Sequence, residues 1–321
     1  MFAVTALAPQ ASRADEGGVS FWLPGTFGSL AAVPGTPGFG FASMYYHTSV
    51  EASGGRSFFR GGRFVAGLEA DGDLMFLIPS YTFANPVLGG QLALSMTGVV
   101  GNMRAGIDAT LTGPLGNTIS GSFSDSVTGF GDLYPMATLK WNQGVHNFMV
   151  YGRGDIPVGE YSPDRLANIG IGHAAIDGGL GYTYFDPTKG HEFSAVAGLT
   201  YNFTNPDTQY KNGVNFHLDW GASQFLSQQL HVGLVGYAYQ QLSCDSGAGN
   251  RIGCFESRVF AVGPQVGYIV PLGEWQGYLN LKGYWEFEAE NRPEGWNVWL
   301  TFALSPAAAP PSPVHGPLVR K

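Results

Sequence analysis

From Val214 to Ser223 the chain alternates without a break: Val214, Phe216, Leu218, Trp220 and Ala222 against Asn215, His217, Asp219, Gly221 and Ser223. A period of two sends successive side chains to opposite faces of an extended strand, one apolar and one polar. Phe193, Ala195, Ala197, Leu199 and Tyr201 repeat the pattern against Ser194, Gly198, Thr200 and Asn202. So do Leu279, Leu281, Gly283, Trp285 and Phe287 against Tyr278, Asn280, Lys282, Tyr284 and Glu286. Helical periodicity is hard to find anywhere after residue 38. The alternation predicts strands near 39–50, 73–84, 90–104, 131–142, 145–155, 174–186, 191–204, 212–226, 229–243, 256–271, 275–288 and 295–305.

A soluble sandwich also alternates, so alternation alone does not choose between architectures. The spacing does. Long gaps (51–72, the stretch around 110–129, 156–172 and 244–254) take turns with short ones such as DPTKG, Ser227-Gln228 and PLGE. Outer-membrane barrels have short turns on one rim, longer loops on the other and an even strand number. Aromatic residues (Tyr81 and Phe83, Tyr182 and Tyr184, Tyr201 and Phe203, Trp220 and Phe225, Trp296 and Phe302) gather toward strand ends, where interfacial girdles belong. The expected fold is all-β: a single transmembrane antiparallel β-barrel of about 12 strands, of outer-membrane type, over residues 39–305.

Composition supports this. Only 12% of residues are charged, against about a quarter in ordinary soluble domains, while 48 of 321 are glycine. Mean hydropathy is +0.01 although no apolar run is long enough for a transmembrane helix. A net charge of −8 argues against nucleic acid as a partner, because phosphate contacts need clustered Lys and Arg. The expected partners on these grounds are outer-membrane lipid and lipopolysaccharide.

Catalytic signatures are sparse. There is no G-x-S-x-G elbow, Walker A loop or H-E-x-x-H motif, and neither a cofactor nor a metal site is expected. The strand charges fall on the polar face, where they would line a lumen and not lipid. Tyr151, Arg153, Asp177, His217, Asp219, Tyr237, Tyr239, Lys282, Tyr284 and Glu286 are therefore the candidates for the lumen wall and substrate path. Cys244 and Cys254 enclose a polar, Gly-rich stretch and would close it as a disulfide in an oxidising compartment.

Three segments lie outside the alternation. Residues 1–14 read as the end of a truncated secretory signal, with small residues before a cleavage point. Residues 15–38 carry Phe21, Trp22, Leu23 and Phe27 without period-two order, and so apolar a segment seeks a partner. It reads as a plug folded into the lumen or as a piece lying on the rim. Residues 306–321 are rich in Pro and Ala and read as a disordered tail.

Several short motifs in a fixed order add a resemblance. GFGDLYP at 129–135, IPVGEY at 156–161, YNFTNPDTQY at 201–210, NFHLDW at 215–220 and VGLVGYAYQQL at 232–242 resemble the outer-membrane protein family of the phenol meta-cleavage (MetA) degradation pathway. NRPEGWNVWLTFALSP and the PGTFG at 24–28 are similar to its terminal strand and N-terminal segment. The resemblance implies a barrel in the outer membrane of a Gram-negative bacterium, associated with aromatic compound catabolism. It also implies a channel for hydrophobic substrates, with no catalytic residues to carry over. Two other readings remain open: an outer-membrane lipid-acting hydrolase with His217 or His231 as base, and a structural or adhesive barrel.

Overall fold

The computed structural model describes residues 20–58, 62–112, 117–250, 253–254 and 256–307. The signal-like stretch 1–14 and the tail beyond Ala307 lie outside the described residues. Twelve strands follow in chain order: β1 Gly38–Phe58, β2 Gly62–Thr82, β3 Gln91–Thr112, β4 Thr118–Gln143, β5 His146–Gly154 and β6 Ala175–Asp186. The rest are β7 His191–Asn202, β8 Asn215–Phe225, β9 Leu230–Gln241, β10 Arg258–Leu272, β11 Trp275–Glu290 and β12 Glu294–Pro306. Each pairs antiparallel with its sequence neighbours, and β1 closes on β12 through Phe41↔Leu304 to Glu51↔Glu294. Closure leaves no unpaired edge within the apolar band, which is what lipid demands of a spanning sheet.

Side chains obey the predicted faces. Leu199, Leu281, Phe302 and Trp285 are exposed on the outside, while Thr200, Asn280, Lys282 and Tyr284 are buried inside. Phe39 packs edge-on against Tyr81, and Tyr81 against Phe83, as part of an aromatic rim beside the short turns. On β1 and β2 the outward face changes from Phe39, Phe41 and Leu77 to the His47–Asp73 pair, 2.8 Å apart, where the apolar band ends.

Apart from residues 59–61 and 113–116, which lie outside the described residues, the long gaps read at 51–72 and around 110–129 are not loops. They are strand: β1 and β2 run 21 residues each, β3 22 and β4 26, against 9 to 16 for the others. Beyond the last β1–β12 pair, Ala52 to Phe58 carries the sheet roughly 20 Å farther. This four-stranded wall stands on the long-loop rim with its polar serines outward and Ile107, Phe123 and Ile119 toward the barrel axis. The barrel itself extends one residue past each predicted bound, to Gly38 and Pro306.

Two of the remaining long connections fold against one another. Asp245, in the β9–β10 connection, accepts hydrogen bonds from Tyr210 Oη at 2.6 Å, Gly213 N at 2.9 Å and Gln241 Nε2 at 2.7 Å. Burial nevertheless holds its carboxyl above the usual carboxylate range. In the same connection Cys244 and Cys254 are joined by a disulfide.

Depth in the apolar band sets the cost of an outward charge. Leu281→Arg, in the body of β11, should cost about 2–4 kcal/mol of folding free energy in lipid, and Leu242→Arg, at the long-loop rim, about 0–1 kcal/mol. Denaturant titration in phospholipid vesicles measures both; equal costs would contradict the assigned depth.

Candidate functional site

The lumen is filled from within. Residues 20–33 leave the short-turn rim, enter the barrel and turn at Pro24-Gly25-Thr26, so that Phe21, Trp22 and Ala32 are buried as deeply as any strand residue. The turn needs Gly25: its φ is +89°, and a Cβ there would sit 3.0 Å from the Tyr284 ring. Such irregular backbone exposes N–H and C=O groups that must find partners when buried.

The lumen supplies them. Asp219 on β8 accepts hydrogen bonds from Gly25 N at 2.8 Å and Phe27 N at 3.0 Å. Lys282 on β11 donates to the carbonyls of the same two residues, at 2.6 Å to Gly25 and 3.3 Å to Phe27. One acid and one base thus grip both polarities of a single turn. Further along, Glu192 accepts from Leu30 N at 2.9 Å, Thr183 accepts from Ala32 N at 3.0 Å and Lys140 donates to Val33 O at 3.2 Å. Ser29 meets Ser223 at 2.8 Å and accepts from Gln265 at 2.7 Å.

The aromatic head of the segment sits against an imidazole and a guanidinium. Trp22 stacks on His217 with ring centroids 3.7 Å apart and planes inclined by 10°. His217 is positioned in turn by Asp177, whose Oδ2 lies 2.9 Å from Nε2, and by the Tyr151 hydroxyl at 3.2 Å. Tyr151 and Thr200 both donate to Asp177, so this wholly buried carboxylate is fully engaged. On the other side the Arg153 guanidinium lies 5.3 Å from the Phe21 ring, 5.7 Å from Trp22 and 4.7 Å from Tyr134. Cation–π contacts of this kind gain strength where water is excluded.

The β5–β6 connection folds inward beside the segment. Asp132 on β4 accepts from Gly159 N at 2.7 Å and Ile171 N at 2.8 Å, and Asp125 accepts from Leu166 N and Ala167 N. A Cβ on Gly159 would lie 2.6 Å from the Gly131 backbone, so the two family-like motifs at 129–135 and 156–161 meet at a contact only glycine allows. At the root of this connection both carboxylate oxygens of Asp155 are buried without a hydrogen-bond partner. Burial first, and the neighbouring Asp132 second, push its carboxyl up to about 8.

The predicted lumen residues therefore divide into two sets. Tyr151, Arg153, His217, Asp219, Lys282 and Tyr284 face the inserted segment, with Asp177 one bond behind. Tyr237, Tyr239 and Glu286 form a wall network above it: Tyr237 donates to Glu286 at 2.7 Å and accepts from Asn297 at 2.8 Å, and Arg292 lies over Tyr239. Glu192, Thr183, Lys140, Gln265, Asp132 and Trp299 are equally involved but were not singled out. Only their position on the polar face of the alternation marked them.

A closed twelve-stranded barrel with a lipid-facing apolar belt and a polar interior is a β-barrel of the outer-membrane type. The profile of the family described as "Putative MetA-pathway of phenol degradation" matches residues 54–302, and the chain belongs to that family. Among solved structures, the chain is similar to an outer membrane channel from Pseudomonas putida F1. The TM-score is 0.65 with 14% identity, covering 88% of this chain and 98% of that one. A FadL homologue from Pseudomonas aeruginosa is a looser likeness, with TM-score 0.41, 7% identity and coverage of 84% and 89%. No curated protein matches the chain.

Two outcomes follow from this geometry. Hydrogen bonds to a charged group contribute about 1.5–3 kcal/mol each. Asp219→Ala should therefore raise amide hydrogen exchange at Gly25 and Phe27 at least tenfold while leaving β-strand amides unchanged; unchanged exchange at the turn would contradict the grip. For Asp155, the folded carboxyl titrates above its unfolded value, so the folded state binds the extra proton between about pH 4 and pH 8. The penalty on the β5–β6 connection is absent below that window and grows as pH rises through it. Hydrogen exchange of residues 156–171, corrected for intrinsic rates, should show opening that increases from pH 4 to 8 in the wild type and stays level in Asp155→Asn.

Proposed function

We propose that this protein is an outer-membrane channel for hydrophobic or aromatic small molecules, closed at rest by residues 20–33, and that it performs no chemistry on what it passes. The family assignment supports the substrate class, and the likeness to a solved outer membrane channel supports the architecture. The observation that carries the reading is the way the lumen is blocked. Seven hydrogen bonds link lumen side chains to the backbone of the segment. The six to Asp219, Glu192, Lys140 and Lys282 contribute about 1.5–3 kcal/mol each and the one to Thr183 about 1 kcal/mol. The barrel wall is instead held by twelve antiparallel ladders, two of them with a register shift. The segment is thus the element that can leave with the wall intact, and water entering behind it would satisfy the lumen groups it releases.

The surroundings of the two candidate bases support a channel over a hydrolase. His217 is capped by the Trp22 ring and bonded to Asp177 and Tyr151. His231 lies between the Ser223 and Tyr278 hydroxyls with no carboxylate among its hydrogen-bond partners. Both imidazoles are fully buried. Outer-membrane lipid and lipopolysaccharide are the surroundings this reading requires, with the long-loop rim facing outward.

Removal of residues 20–33 should raise single-channel conductance in planar bilayers severalfold and speed entry of an aromatic probe into vesicles. Conductance equal to that of the full-length chain would show that the block lies elsewhere. A single cysteine placed at Ser122 in a variant lacking Cys244 and Cys254 should react with an impermeant maleimide on intact cells. Reaction only after the outer membrane is disrupted would reverse the orientation.

A further inference from the structure

Two cavities flank the inserted segment, one on each side, and one plug side chain, Leu23, lines both. The upper cavity, toward the long-loop rim, has a volume of about 120 Å³ and is walled by Val50, Leu68, Leu74, Met103, Ile169 and Leu23. The lower one, about 150 Å³, is walled by Met44, Phe76, Ile78, Phe27 and Trp299 with Leu23 above them, and Arg153 also borders it. These volumes suit one ring: an apolar engineered cavity of about 150 Å³ holds benzene. Drug-sized ligands need roughly 300 Å³ or more.

Three charged side chains border the upper cavity. Glu286 accepts from Tyr237 and from Gly295 N at 3.0 Å, Arg292 lies 4.8 Å from the centre of the Tyr239 ring, and Arg104 faces Asp71 across β2 and β3. An uncharged ring meets the six apolar side chains without giving up a hydration shell, whereas a charged ligand would lose its hydration on entering. Above the cavity, the inner face of the four-stranded wall carries Ala105, Ile107, Phe123 and Ile119 toward its exposed tip, with Asp125 between Phe123 and the cavity held by the Leu166 and Ala167 amides.

Resting on the channel reading above, we infer that the upper cavity is a capture site for an uncharged single-ring aromatic molecule and that Leu23 is the partition separating it from a second ring-sized site below. Ligand in the upper site touches the plug through Leu23 and Ser20. Occupancy and plug position are therefore coupled, because a ligand shifts an equilibrium by its different affinity for the two states. Leu23 sets the size limit, since its side chain keeps two one-ring spaces from merging into a space for two fused rings.

The test is binding, which does not require transport. Full-length protein in lipid nanodiscs is dialysed against phenol or 2-naphthol, with protein-free nanodiscs as reference. The wild type should bind phenol in preference to 2-naphthol. Leu23→Ala should move that ratio at least tenfold toward 2-naphthol, and Met103→Trp, which fills the upper cavity, should weaken phenol at least tenfold. Leu68→Phe is the milder filling variant and should weaken phenol in the same direction; heat-modifiable gel mobility reports the fold of each. A preference unchanged by Leu23→Ala, or phenol binding unchanged in a folded filling variant, overturns the inference. Failure of the channel reading shows differently: phenol binds with the expected selectivity, yet deletion of residues 20–33 changes no flux.

Discussion

Buried polar groups must be paired, and in this barrel that requirement acts twice. In lipid, a backbone N–H or C=O without a partner costs several kcal/mol, so the sheet has to close on itself, as β1 does on β12. Closure with a period of two then turns half of every strand inward, and the inward half is the polar one. A narrow barrel lined by Asp177, Asp219, Glu192, Lys140 and Lys282 has to satisfy these groups with water, with one another or with something inserted. Here the inserted object is a piece of irregular chain whose own backbone is equally in need of partners. The Asp219–Lys282 grip on Gly25 and Phe27 is the clearest instance: each side solves the other's desolvation problem.

That reciprocity explains why the segment combines a polar backbone with apolar side chains. Its N–H and C=O groups face the lumen acids, bases and hydroxyls, while Phe21, Trp22, Leu23 and Phe27 fill the space between strands. It is also why release is conceivable. Water can replace hydrogen bonds to side chains nearly one for one, whereas nothing in lipid can replace a ladder. A segment fixed by an apolar core alone would have to expose that core to move.

Much of this was legible in the residues. The alternation at 214–223 assigned His217 and Asp219 to the lumen and Phe216 and Leu218 to lipid, and the loop spacing indicated twelve strands. The lack of alternation before residue 38 set the plug apart. What the sequence could not show was the partner of each lumen group: Asp219 looks the same whether it faces water, a substrate or a turn 194 residues away. The upper reaches of β1–β4 were missed for a different reason. EASGGRSF and TISGSFSDSV are rich in glycine and serine, and above the apolar band the first pairs with β2 and the second with β3. One signal was there, since Ser120, Ser122, Ser124 and Ser126 keep strict period two.

The account stands on movement of the inserted segment, and Ser29 and Ser223 allow that movement to be stopped at will. Their hydroxyl oxygens are 2.8 Å apart, one on the segment and one on β8. Cysteines at both positions should form a disulfide that locks the plug. Flux of phenol into vesicles is then measured for the oxidised double variant, for the same protein after reduction, and for the wild type under both conditions. The account predicts flux abolished by oxidation and restored by reductant in the variant alone; equal flux through the locked and the reduced barrel would contradict it.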